Sequence, residues 1–207
     1  MTFLSGFTSG LLLITLSELG DKTFFIAAIL AMRHPRRYVF IGVTLALIAM
    51  TILSVGIGQM TALFPEHYVK ALAVALFIGF GFKLLYDASR MSGQETLEEE
   101  QAEAMEAVEA QEKDRATWSF RLVIVQAFSL IFIAEWGDRT QIATITLASA
   151  HDAWGVLCGA ILGHTLCAAI AVACGKLIAG RISERLITAL GGALFVLFGV
   201  LAALEMA

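Results

Sequence analysis

Glu18-Leu19-Gly20-Asp21-Lys22-Thr23 lies inside an apolar run from about Phe3 to Met32. Glu135-Trp136-Gly137-Asp138-Arg139-Thr140 lies inside a second run from about Trp118 to Ala150. Each residue of the second stretch stands 117 positions after its counterpart in the first. Both stretches carry three charges. A charge in a bilayer core costs about 2.5–3.5 kcal/mol on insertion scales, so such residues are by default functional. The constant offset reads as one motif held by both halves of a duplicated chain.

The surrounding composition sets the class. The 207 residues are 58% hydrophobic, with mean hydropathy +0.81, against roughly 45–50% apolar for a soluble domain. Runs of about 20 apolar residues recur, each long enough to span a bilayer. The expected fold is an all-α integral membrane protein. A soluble reading requires nearly every helix to be apolar all round. No basic patch interleaved with aromatics is present, so nucleic acid is not an expected partner. Cys158, Cys167 and Cys174 share one apolar segment without zinc-site or disulfide spacing and read as small packing residues. Met1-Thr2-Phe3-Leu4 has no basic n-region, so the first segment is expected to be a retained helix.

Outward from the motifs, the segments follow in order. The first, at 1.5 Å per residue, is roughly 45 Å long against a hydrocarbon layer of about 30 Å. It either tilts strongly or breaks near Gly20. Pro35 stops it among Arg33, Arg36 and Arg37. Segments two (Val39 to Leu63) and three (Tyr68 to Tyr86) are separated by a turn at Pro65-Glu66-His67. From Ser92 to Thr117 the chain is polar and acidic, with only Leu97, Met105 and Val108 as a thin apolar stripe. This predicts a solvated, partly helical linker, which either concentrates cations at a pore mouth or simply solubilises. Segments four (Trp118 to Ala150), five (Ala153 to Ile178) and six (Ile182 to Glu205) complete the chain. The expected organisation is a three-helix repeat at 1–91, the acidic linker at 92–117 and a second three-helix repeat at 118–207.

Six spans place Arg33, Arg36, Arg37, Lys83, Arg90, Lys113, Arg115, Arg121, Lys176, Arg181 and Arg185 on one face and Lys70 on the other. The positive-inside rule makes the first face cytoplasmic. Both termini are then outside and the linker is inside; the expected location is the plasma (inner) membrane. Three spans per repeat invert the second repeat relative to the first, an architecture of secondary transporters with the site at mid-depth. The glycine-rich faces serve internal packing or a homodimer.

Glu18 and Asp21 on a continuous helix share one face, as do Glu135 and Asp138. A two-fold axis in the membrane plane brings the four carboxylates together, near the hydroxyls of Thr23 and Thr140 and the amide of Gln141. All are oxygen donors, which suit hard divalent cations such as Ca²⁺, Mn²⁺ and Mg²⁺. Two acids and one base per copy leave two negative charges over the pair of motifs, balanced by one divalent cation or by two protons. Burial disfavours the carboxylate anion, which makes a proton the alternative occupant. Such a site outlines an exchanger, with no enzymatic step and no resident cofactor.

Lys22 and Arg139, four residues after the glutamates, are oriented for i,i+4 pairing. They either hold and release a carboxylate during transport or act as fixed counter-ions. Gly20 and Gly137 either permit a helix break or allow close helix crossing. His164 is a ligand, a relay or a hydrogen-bonded packing residue. Gln126 and Ser129 are placed to line an entry path, and Met50 and Met60 read as packing.

The twin Glu-x-Gly-Asp-(Lys/Arg)-Thr motif, each copy in the first helix of a three-helix repeat with an acidic loop between, resembles the transmembrane protein 165-like family of cation/proton antiporters for Mn²⁺ and Ca²⁺. The resemblance covers the whole chain. It implies that Glu18, Asp21, Glu135 and Asp138 carry the ion, and that short bacterial members export manganese from the cytoplasm. The preference for manganese comes from the resemblance alone. The rival readings are a passive divalent cation channel, an intramembrane metal-dependent hydrolase, which would want histidine ligands, and a structural assembly subunit.

Overall fold

A computed structural model describes residues 2–90, 95–112, 119–178 and 184–204. Among them the chain is all helical: α1 (Phe3–Glu18), α2 (Lys22–Arg33), α3 (Arg36–Met60), α4 (Glu66–Arg90), α5 (Glu95–Glu112), α6 (Phe120–Ala134), α7 (Arg139–Ala150), α8 (Ala153–Ile178) and α9 (Glu184–Leu204), with a 3₁₀ turn at Thr61–Leu63. Both expected linker boundaries, Lys113, Arg115, Arg181 and the side chains of Leu97, Cys174 and Lys176 lie outside what is described.

The two long apolar runs are broken. α1 and α2 meet at 65°, and α6 and α7 at 73°. The local cause is glycine: Gly20 has φ +84° and Gly137 φ +82°, both left-handed. An L side chain there meets its own carbonyl, at a cost of roughly 1–2 kcal/mol, whereas glycine has no such penalty. A Cβ at either position meets nothing within 4 Å. These glycines therefore serve the break and not a close helix crossing.

The helices α3, α4 and α8 are long and apolar enough to cross a membrane, and the two bent pairs bring the number to five when each is taken as one span. The sixth expected segment is α9, whose apolar stretch Thr188–Leu204 is shorter than those three single helices. Large apolar side chains point outward, as Leu45 and Ile52 do on α3, Phe82 on α4 and Leu197 on α9. In water such a surface would be a liability, and against acyl chains it is the favoured one. The protein is an all-α membrane protein.

The principal packing is reciprocal. α1 lies against α8 as α6 lies against α3, α2 touches α8 as α7 touches α3, and α4 pairs with α9. Small residues make these approaches feasible. A Cβ on Gly159 would overlap the Phe7 carbonyl oxygen, and one on Gly10 would come within 2.9 Å of the Val156 carbonyl oxygen. The Gly42 face is closed against Ile124 and Ala127 of α6. These glycine faces are used inside one chain.

Two expectations are corrected. Glu66 and His67 belong to α4, which starts directly after Pro65, so the expected turn is shorter than Pro65-Glu66-His67. The acidic stretch is also not simply solvated. α5 docks on α2, with Ala104 and Val108 fully buried in the same cluster as Phe25, Ile29 and Val43. Among the described side chains of α5, Glu103, Glu106 and Glu109 are exposed, and Glu103 and Glu109 reach Lys22 and Arg33 at 2.8 and 3.3 Å.

Candidate cation site

The two breaks bring the motif carboxylates together. Glu18 ends α1 and Asp21 stands as the N-cap of α2, while Glu135 is the C-cap of α6 and Asp138 the N-cap of α7. The turn closes alike in both halves: the Asp21 N–H donates to the Glu18 carbonyl at 3.3 Å and the Asp138 N–H to the Glu135 carbonyl at 3.2 Å. Helix dipoles sort the site. Aspartates sit at positive N-terminal ends, which favour an anion, and glutamates at negative C-terminal ends, which favour a nearby cation.

Glu18, Asp21 and Asp138 each offer an oxygen within 4.8 Å of the other two. Donors held about 2.1–2.6 Å from one divalent ion lie roughly 3 to 5 Å apart, so this spacing fits one coordination sphere. Glu135 is buried but stands outside that group of three. The hydroxyls do what their spacing implies. Thr23 Oγ1 donates to Glu18 Oε2 at 3.0 Å, and Thr140 Oγ1 lies 3.2 Å from Glu135 Oε2 and 3.0 Å from Asp138 Oδ2. Asp138 also accepts from the Thr140 N–H at 3.1 Å. Among the described residues, Glu18 Oε1 and Glu135 Oε1 are buried acceptors with no hydrogen-bond partner, which is costly unless a cation or proton meets them.

The remaining motif residues depart from expectation. The i,i+4 pairing of Lys22 with Glu18 and of Arg139 with Glu135 does not form, because that geometry needs a continuous helix and the chain turns at glycine between them. Arg139 Nη2 instead donates to Asp21 Oδ1 of the other half at 2.9 Å. Lys22 turns away to Glu103 at 2.8 Å. The one-face helical arrangement of Glu18 with Asp21 is replaced by a turn for the same reason. Gln141 Oε1 accepts from the Gly137 N–H at 2.7 Å, so its amide staples the break instead of joining the carboxylates. Its Nε2 faces Met50 Sδ at 3.8 Å, and Met50 is otherwise a buried packing residue. Gln126 is buried with both amide atoms unpartnered, among the described residues. His164 brings Nδ1 to 3.8 Å from Glu18 Oε1. A histidine inside an apolar span was the available signal for it, whereas nothing local in the sequence pointed to Glu103.

Known proteins are similar to this chain over most of its length. The sequence profile of the family described as divalent cation/proton antiporter GDT1 matches residues 6–92 and 123–207. The chain belongs to that family. It is similar to GDT1-like protein sll0615 of Synechocystis sp., 56% identical over 201 residues that cover 95% of this chain and 96% of the relative. GDT1-like protein 5 of Arabidopsis thaliana is 41% identical over 217 residues, covering 96% and 95% of the two chains. GDT1-like protein 3 of Oryza sativa subsp. japonica is 40% identical over 198 residues, 93% of this chain and 71% of that one. No solved structure matches the chain. The two matched blocks of the GDT1 profile flank α5 and contain both breaks, so the match covers Glu18, Asp21, Glu135 and Asp138. A transporter of divalent cations is the coarse function that membership carries.

Proposed function

We propose that this GDT1 family member exports Mn²⁺, with Ca²⁺ as a second substrate, from the cytoplasm across the plasma (inner) membrane in exchange for protons. The observation that supports it best is the group of Glu18, Asp21 and Asp138, drawn from both halves and oxygen-only, with spacing suited to one hard cation. Glu135, Thr23 and Thr140 complete the polar lining, Gln141 holds the break behind it, and Arg139 offsets part of its charge. Lys22 is engaged by Glu103, so among the described residues four carboxylates face one guanidinium, and the surplus negative charge calls for a divalent cation or protons. The unpartnered Glu18 Oε1 and Glu135 Oε1 are where the two occupants compete.

In this reading six spans form two inverted repeats, both termini lie outside, and the linker with α5 lies in the cytoplasm. The reciprocal packing of α1 on α8 and of α6 on α3 supports the repeat. Rocking of one half against the other exposes the breaks to each face in turn. The direction is tested with everted membrane vesicles energised to be acid inside. Mn²⁺ uptake that stops when the proton gradient is collapsed supports export coupled to protons. Uptake that persists unchanged without the gradient points to a channel. Competition by Ca²⁺ in the same vesicles tests the second substrate.

A further inference from the structure

We infer that His164 supplies a nitrogen ligand to the transported ion and tilts the site toward manganese over calcium and magnesium; this rests on the cation site proposed above. His164 sits on α8, which packs against both arms of the first break. It is 5% exposed. Its Nδ1 and Glu18 Oε1 face each other at 3.8 Å, and neither has a hydrogen-bond partner among the described residues. That separation is too long for a hydrogen bond, so packing alone leaves two buried polar atoms unsatisfied in contact with each other. It is the right separation for two neighbouring donors on one ion, which lie roughly 3 to 5 Å apart. Cys167, one turn further along α8, is already used, its Sγ lying 3.4 Å from the Thr15 carbonyl oxygen. The imidazole is therefore the donor that α8 turns toward Glu18.

The two halves differ at this point. The residue 117 positions before His164 is Leu47, an alkyl side chain at the matching place in the repeat. Glu18, beside the imidazole, belongs to the three-carboxylate group, while Glu135 and His164 itself stand outside it. One ion thus sits off the pseudo-symmetry axis, on the Glu18 side, with an oxygen-rich shell and one nitrogen. Nitrogen donors add little for Ca²⁺ and Mg²⁺, which take oxygen, and more for first-row transition metals. A single imidazole among carboxylates is a means of telling Mn²⁺ from the more abundant hard cations.

The test is pulsed electron paramagnetic resonance of Mn²⁺ added alone to the purified full-length protein. Nitrogen modulation on bound Mn²⁺ is expected in the wild type. It should change when histidine is labelled with ¹⁵N and vanish in His164→Gln. The Ca²⁺ concentration that displaces half the Mn²⁺ should also fall roughly tenfold or more in that variant. Bound Mn²⁺ with no nitrogen coupling in the wild type overturns the inference while leaving the carboxylate site standing. An unchanged Mn²⁺/Ca²⁺ ratio in a folded His164→Gln overturns it too. Failure of the wild type to bind Mn²⁺ overturns both readings. The wild-type spectrum decides the matter even if the variant does not fold.

Discussion

Arg139 of the second half holds Asp21 of the first at 2.9 Å, although 118 residues separate them. Its repeat counterpart, Lys22, does not return the contact to Asp138; it reaches Glu103 of the linker helix instead. The pair therefore ties the halves together on one side of the site only. Removing Arg139 leaves a largely buried Asp21 without this donor. A double-mutant cycle of Arg139→Gln with Asp21→Asn should give a coupling of roughly 1.5–3 kcal/mol, the range for hydrogen bonds to charged groups. The Lys22–Glu103 pair is more exposed, so its cycle should give about 0–1 kcal/mol. Thermal unfolding in detergent reads both, and equal couplings would contradict the asymmetry.

The glycines separate into two kinds. Gly137→Ala meets no neighbour but must hold a left-handed φ, so it should cost about 1–2 kcal/mol. Gly159→Ala has an ordinary helical backbone, yet its Cβ overlaps the Phe7 carbonyl and must push α1 from α8. It should lower the melting temperature further than Gly137→Ala. The reverse order would show that the break, not the helix contact, is the weaker point.

How much of this was legible in the sequence depends on whether a signal is local. The membrane class and the duplicated motif follow from runs and spacings a reader can count, whereas run length alone left a break at Gly20 open beside a strong tilt. The contacts of Lys22 and Arg139 did not follow, because i,i+4 pairing assumes the unbroken helix that the intervening glycine removes. Glu103 lies 81 residues from Lys22, and no periodicity connects them. Ala104 and Val108 are too small a stripe to announce that α5 docks, while a histidine in an apolar span was visible as a candidate before its neighbour Glu18 was known.

Docking of α5 should be breakable on its own. Val108 is fully buried against the α2 cluster, so Val108→Asp places a charge in an apolar contact and should release the helix. A glutamate-specific protease should then cut the linker several-fold faster than in the wild type, with insertion into the membrane unchanged. Equal cleavage rates would mean that α5 does not rest on α2.

The hydroxyls next to the glutamates should matter less than the carboxylates. Thr23→Val removes the 3.0 Å hydrogen bond to Glu18 Oε2, worth about 0.5–1.5 kcal/mol. Binding of Mn²⁺, followed by calorimetry, should weaken by roughly two- to tenfold, and transport should persist. Complete loss of binding would make Thr23 a direct ligand instead of a positioning residue.

The most direct test of the account is Mn²⁺ flux in proteoliposomes carrying an internal pH dye, with wild type beside Glu18→Gln. The account predicts that Mn²⁺ and protons move in opposite directions in the wild type and that both movements disappear in the variant, with the protein still inserted. Mn²⁺ flux without a pH change, or a Glu18→Gln variant that transports normally, would contradict it.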